Sequence, residues 1–282
     1  MQKQILFRNG SELISNIDIL NTLKVLEVDQ TDVLYVHTAL NFGVPNREIK
    51  KQVLLELLFE ILLKLDISTL IFPTYTFSFC NGDPFSVQDS KTPMGLLNEY
   101  IRNQPGVLRS RDPLMSNALV GTHREFVENI GKFSVGDNST FDLLHKTNLK
   151  VKFLFFGPKI GDCFTHMHYI ENEQNVPYRY NRSFSGLIKD GETEYTDTYE
   201  LFVRYSNVFP NEGSYIYGNI LTERGICKKA KIGASAVSVL EEKPAYETYV
   251  ELLKLSPNFY IKEIFEVDEN TTMFSAKNMV AL

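Results

Sequence analysis

The chain has 282 residues, 43% hydrophobic and 23% charged, with a net charge of −6 and three cysteines. That content can bury a substantial core, and the lack of a basic block excludes a dedicated nucleic-acid surface, since phosphate neutralisation needs clustered Lys and Arg. Cys80, Cys163 and Cys227 stand far apart, so neither a disulfide framework nor a C-x-x-C metal clip is indicated, and they fit a reducing compartment.

Met1 to Gln4 leads into mixed polar sequence without the apolar region and small-residue cleavage site of a secretory signal, which makes the cytoplasm the default location. A helix is expected over Ser11–Leu26, followed by an apolar strand, Val33–His37, that runs into the small polar turn Thr38-Ala39-Leu40. Arg47–Leu65 reads as an amphipathic helix whose Glu56, Glu60 and Lys64 recur four apart. Its apolar part is too short and too charged to span a bilayer. Leu70–Tyr75 repeats the strand design, with Pro73-Thr74 near its end. Helices are expected at Thr92–Asn103 and His123–Asn129, on either side of the turn-rich segment Pro105–Ser116 that carries Arg109 and Arg111. A strand at Lys152–Phe156 precedes a Gly-containing loop and a helix at Thr165–Glu173. Part of Glu194–Arg204 reads as a strand, and Tyr205–Gly218 as a long loop or subdomain junction. The pattern then blurs through Lys228–Leu240 until a terminal helix at Ala245–Leu255. This alternation, with no internal repeat, predicts an α/β protein built as a three-layer α/β/α sandwich, a single domain over residues 1–282.

The densest chemistry lies in Thr165-His166-Met167-His168-Tyr169-Ile170-Glu171. Helical spacing puts Thr165, His168 and Glu171 on neighbouring turns. Neutral imidazole is a base, a carboxylate on its other nitrogen fixes the tautomer and stabilises the imidazolium, and a hydroxyl can donate to a developing oxyanion. The same Thr165 also suits an ordinary N-cap. His166 with His168, Cys163 and Glu171 invites a metal reading, but on a helix the two histidines point about 200° apart.

In chain order, His37-Thr38-Ala39-Leu40, Pro73-Thr74, Thr92-Pro93-Met94-Gly95, Arg109-Ser110 with Pro113 and Ser116, then Thr165, His168 and Glu171 form a set of motifs. The set, from about Thr31 to Gly186, resembles the aminoglycoside 3-N-acetyltransferase family, which moves acyl groups from coenzyme A to amines. One position departs. The family's R-S-x-H-P carries Asp112 here in place of histidine, which exchanges a titratable donor for an acceptor that is anionic at neutral pH.

The resemblance implies a mixed sheet, acyl-CoA as co-substrate without a metal, and the roles that follow. His168, Glu171 and Thr165 would be catalytic. His37, Thr38, Ala39, Leu40, Thr74, Met94, Arg109, Ser110 and Ser116 would contact the cofactor, with Arg109 as a fork on phosphate. Asp83, Asp112, Tyr178 and Arg179 are candidates for the acceptor, an amino sugar. Tyr178 to Arg182 offers aromatic faces and cations, and a net charge of only −6 does not advertise the acidic cleft a polycation favours, so a nucleotide-linked deoxyamino sugar is expected ahead of an aminoglycoside. A homo-oligomer stays open, membrane insertion is not expected, and a metal-dependent hydrolase or a non-catalytic CoA-binding protein are the rival classes.

Overall fold

Val33, Leu34, Tyr35 and Val36 are all fully buried, yet successive residues enter different cores. Val33 and Tyr35 join Ile71, Phe153 and Phe155 on one side, while Leu34 and Val36 join Leu70, Phe72, Leu154 and Phe156 on the other. Side chains alternate across a strand, so continuous apolar runs place these three strands in a sheet covered on both faces. The computed structural model describes residues 1–262.

In chain order the strands are β1 (Ile5–Asn9), β2 (Glu12–Ser15), β3 (Val33–Thr38), β4 (Val44–Pro45), β5 (Thr69–Pro73), β6 (Phe85–Ser86), β7 (Leu108–Arg109), β8 (Asn117–Gly121), β9 (Val151–Gly157), β10 (Arg179–Asp190), β11 (Thr193–Arg204), β12 (Cys227–Ile232) and β13 (Ser235–Glu241). The helices are α1 (Asn16–Val25), α2 (Lys51–Leu63), α3 (Leu96–Arg102), α4 (Glu125–Glu128), α5 (Thr140–Lys146), α6 (Ile160–Cys163), α7 (His166–Glu173), α8 (Gly213–Glu223) and α9 (Glu242–Leu255). The main sheet has the order β12-β13-β9-β3-β5-β8-β7. Its centre, β9-β3-β5, is parallel, and the outer pairings are antiparallel. Helices α1, α2 and α3 supply Ile19, Leu23, Leu58 and Leu97 to one face. Helices α5, α7, α8 and α9 supply Phe141, Ile170, Tyr217 and Tyr249 to the other. The architecture is the expected three-layer α/β/α sandwich with a mixed sheet.

Several boundaries move. The first expected helix begins only at Asn16, because Glu12–Ser15 pairs with β1 and Ser15 then caps α1 in a reciprocal box with Asp18. Thr92-Pro93-Met94-Gly95 is loop, not helix, with Gly95 at φ 101° immediately before α3. The loop expected over 205–218 ends at α8, which starts at Gly213. The blurred stretch 228–240 is the antiparallel hairpin of β12 and β13. The other long hairpin, β10 with β11, pairs from Arg179↔Arg204 to Asp190↔Thr193 and carries the sequence immediately after α7 back over the core. Among the described residues, no helix is long and apolar enough to cross a membrane.

Candidate active site

Parallel strands deliver their C-terminal ends to one edge of the sheet, the usual place for a ligand in an open α/β fold. Three of the motifs lie there, after β3, β5 and β9. Gly157 makes the close approach feasible: it has φ 107°, and a Cβ at that position would lie 1.8 Å from the carbonyl oxygen of Ala39. Thr38, Ala39, Leu40 and Met94 are half-buried. Thr38 Oγ1 donates to Asn98 Oδ1 at 2.8 Å, and Asn98 Nδ2 donates to the Pro73 carbonyl at 3.0 Å, so the ends of β3 and β5 are tied to α3.

Helix α7 brings His168 and Glu171 together as the i, i+3 spacing requires. His168 Nδ1 and Glu171 Oε2 are 2.8 Å apart, with the imidazole 27% exposed and the carboxylate fully buried. Glu171 is held from every side. Tyr178 Oη donates to Oε1 at 2.8 Å, Tyr249 Oη donates to the same oxygen at 3.2 Å, and Arg179 forms an ion pair at 2.8 Å. Burial alone would raise the carboxyl pKa, but Arg179, His168 and these hydrogen bonds hold it down at about 2. For His168 burial is the larger influence and lowers the pKa, Arg179 adds to that, and Glu171 opposes both. A neutral imidazole beside an anionic carboxylate donates from Nδ1 and presents the lone pair of Nε2. Arg179 Nη2 stands 3.5 Å from that nitrogen.

Several expected contacts turn inward instead. Tyr178 is 2% exposed and Arg179 is committed to Glu171, so the two residues expected at the acceptor orient the carboxylate. Arg109 is no free fork. Its Nη1 donates to the carbonyls of Val87 and Ser90 at 3.2 and 2.6 Å, Nη2 donates to Thr74 O at 2.7 Å, and Nε faces Thr74 Oγ1 and Ser116 Oγ. Burial lowers its pKa to about 9. Thr74, Ser110 and Ser116 beside this half-buried arginine are fully buried: Ser116 Oγ donates to Thr74 O, and Ser110 Oγ accepts from the Asn117 N–H. These motif residues form one internal knot joining β5, β7 and β8.

His37 is likewise buried, stacked on Phe155 at 5.1 Å, with a pKa pushed down to about 3 by burial and by His166. Asp112, 3% exposed, accepts from the backbone N–H groups of Leu114 and Met115 and from Ser134 Oγ through one oxygen, so it closes its own turn. Burial raises its pKa against those bonds. Asp83 is exposed in the turn after the 3-10 segment Ser78–Asn81. Thr165 occupies the N-cap position but makes no capping bond; its hydroxyl donates to Cys163 O at 3.3 Å. His166 turns away from His168 into the core, where it and His145 share Glu242 Oε1 at 2.9 and 2.8 Å. Among the described residues, no group of three or more His, Cys, Asp or Glu could hold a metal ion.

Sequence reasoning missed Tyr249, Arg204 and Tyr260. Arg204 faces Arg179 across the hairpin, and Tyr260 meets His168 edge-on with ring centroids 6.0 Å apart. Only strand register and tertiary packing bring them there, so no local signal could have found them.

The fold is that of the aminoglycoside acetyltransferases of known structure. Aminoglycoside acetyltransferase AAC(3)-Xa is 19% identical, with 86% of this chain and 93% of that one covered at a TM-score of 0.71. AAC-IIIb, solved as a binary complex with CoASH, is 17% identical over 85% and 96% of the two chains, also at 0.71. The YokD protein from Bacillus subtilis is 16% identical over 92% and 95%, at 0.68. Among curated sequences none matches the chain. The family described as aminoglycoside 3-N-acetyltransferase matches residues 36–254, and the chain belongs to that family. It is thereby a coenzyme A-dependent N-acyltransferase.

Proposed function

We propose that the protein transfers an acyl group from a coenzyme A thioester to the amine of an amino sugar of the aminoglycoside type, with His168 as general base. The observation that carries this reading is the 2.8 Å pair of His168 and Glu171, which leaves Nε2, with Arg179 Nη2 at 3.5 Å, as the acceptor nitrogen of the imidazole. Nε2 takes a proton as the amine nitrogen attacks the thioester carbonyl. Glu171, kept anionic by Arg179, Tyr178 and Tyr249, stabilises the resulting imidazolium. Thr165 exchanges its 3.3 Å bond to Cys163 O for the developing oxyanion. When the intermediate collapses, the carbon–sulfur bond breaks and the imidazolium proton passes to the leaving thiolate, giving amide and free thiol. Transfer is direct, because burial raises the Cys163 thiol pKa and holds Cys80 at about 12, which leaves both poor nucleophiles.

Family membership and fold support the aminoglycoside acceptor above the nucleotide-linked sugar expected from composition. One observation keeps that second reading. Arg179 and Arg204 flank the single carboxylate of Glu171, an excess of positive charge that repels a polycation and attracts a diphosphate. We place the protein in the cytoplasm, where acyl-CoA is made. Free-thiol release from acetyl-CoA against aminoglycosides, free amino sugars and nucleotide-linked amino sugars tests the proposal. Turnover with an aminoglycoside is expected. Preference for a nucleotide-linked sugar would favour the second reading, and no release with any amine would overturn both.

A further inference from the structure

Tyr260 lies beyond residue 254, where the family match ends, yet its ring reaches the centre of the site. It stands edge-on to His168 at 6.0 Å and 78°, and the Arg179 guanidinium sits 5.7 Å from its centroid, within cation–π range. The segment is anchored independently of the site: Asn211 N–H donates to Tyr260 O at 2.9 Å, and Asn211 Nδ2 donates to the carbonyls of Phe259 and Ile261 at 3.0 and 2.8 Å. Arg179 otherwise has the Glu171 ion pair, the 3.5 Å contact of Nη2 with His168 Nε2, a 3.3 Å bond to Phe202 O and the Phe202 ring at 6.0 Å. An arginine side chain has many rotamers, and an anchored aromatic face selects one.

We propose that Tyr260 is a positioning residue whose ring fixes the Arg179 guanidinium against the His168–Glu171 pair, so that a residue from the segment after α9 sets the working pH of the base. The proposal rests on His168 being that base. The groups that bear on His168 are Glu171 of α7, Arg179 of β10 and Arg204 of β11, with Tyr178 and Tyr249 acting through Glu171. Moving Arg179 away removes a positive charge near the imidazole, and removing the ring opens the imidazole to water. Both changes raise the pKa of His168, so the acid limb of kcat/KM moves to higher pH.

The test is a pH profile of thiol release for full-length wild type, Tyr260→Leu, Tyr260→Phe, Arg179→Gln and the double variant Tyr260→Leu/Arg179→Gln. Tyr260→Leu is expected to shift the acid limb upward by about half a unit or more and to lower kcat by about ten- to a hundredfold. Tyr260→Phe keeps the ring and should keep both values. The double variant should shift by less than the sum of the two single shifts, since the Arg179 charge is common to both. An unmoved limb in Tyr260→Leu, additive shifts, or a Tyr260→Phe variant that moves the limb would each overturn the proposal, and the last holds even if Tyr260→Leu does not fold. Inclusion of His168→Ala separates the two readings. If that variant keeps wild-type turnover, the base assignment fails; if it is inactive and the limb in Tyr260→Leu stays in place, only the role of Tyr260 fails.

Discussion

Glu171 does two things at once: it balances the buried Arg179 and raises the pKa of His168 against burial and that same arginine. Glu171→Gln keeps the shape and removes the charge, so the imidazole pKa falls further and the acid limb of kcat/KM moves to lower pH. Loss of imidazolium stabilisation should cost about ten- to a hundredfold in kcat, and a pH–rate series on the variant measures both effects. The pairing itself was legible, because i, i+3 spacing on a helix leaves two side chains little choice. The partners of Glu171 were not. Tyr178 and Arg179 read as acceptor contacts because aromatic and cationic residues close to a predicted catalytic helix look available; their burial depends on how β10 crosses the core, which local sequence does not encode.

At the scale of elements, Arg109 has a different consequence from the one its motif suggests. Its guanidinium bonds three carbonyls from Thr74, Val87 and Ser90, so Arg109→Ala takes this donor from Val87 O and Ser90 O and leaves Thr74 O with Ser116 Oγ, loosening the knot that joins β5, β7 and β8. A loss of about 2–4 kcal/mol in stability is expected from denaturant titration. CoA and 3′-dephospho-CoA should weaken alike; selective loss of CoA would instead return Arg109 to the 3′-phosphate. Gly157→Ala drives a Cβ into the Ala39 carbonyl at a positive φ, and should cost about 2–4 kcal/mol or more by the same measurement. The central strands could be predicted from continuous apolar runs. The hairpin β10–β11 was only half visible, because β10 is mostly half-buried or exposed along its length and shows no clean alternation. The second strand of the first hairpin was absorbed into a helix, since Leu13, Ile17 and Leu20 recur at helical spacing until pairing with β1 claims Glu12–Ser15.

Across the whole molecule, buried titratable groups set the acid limit of the fold. His37 keeps a folded pKa of about 3 against an ordinary 6.5, and Glu171 and Glu242 keep about 2 against 4.5. In each case the unfolded chain binds the proton first as pH falls, so stability is full above about pH 6.5. It declines from there toward pH 3 through His37 and between pH 4.5 and 2 through the two glutamates. Denaturation at pH 7.5 and at pH 5, about two and a half decades of proton activity, should show the loss. His37→Phe should reduce the part above pH 4.5 and leave what His166 and His168, whose pKa values are lowered as well, contribute there. Composition and charge left this invisible, because the shifts arise from packing: His37 lies against Phe155, and His166 shares Glu242 with His145. The layered architecture and the family were legible from ordered motifs, yet half of those motif residues hold the scaffold, and the proposed base stands on α7. The most direct test of that division is thiol release from acetyl-CoA by His168→Ala with an aminoglycoside acceptor, alongside CoA binding. Turnover should fall by about two to four orders of magnitude with CoA affinity unchanged; wild-type turnover with an unaltered pH profile would contradict the account.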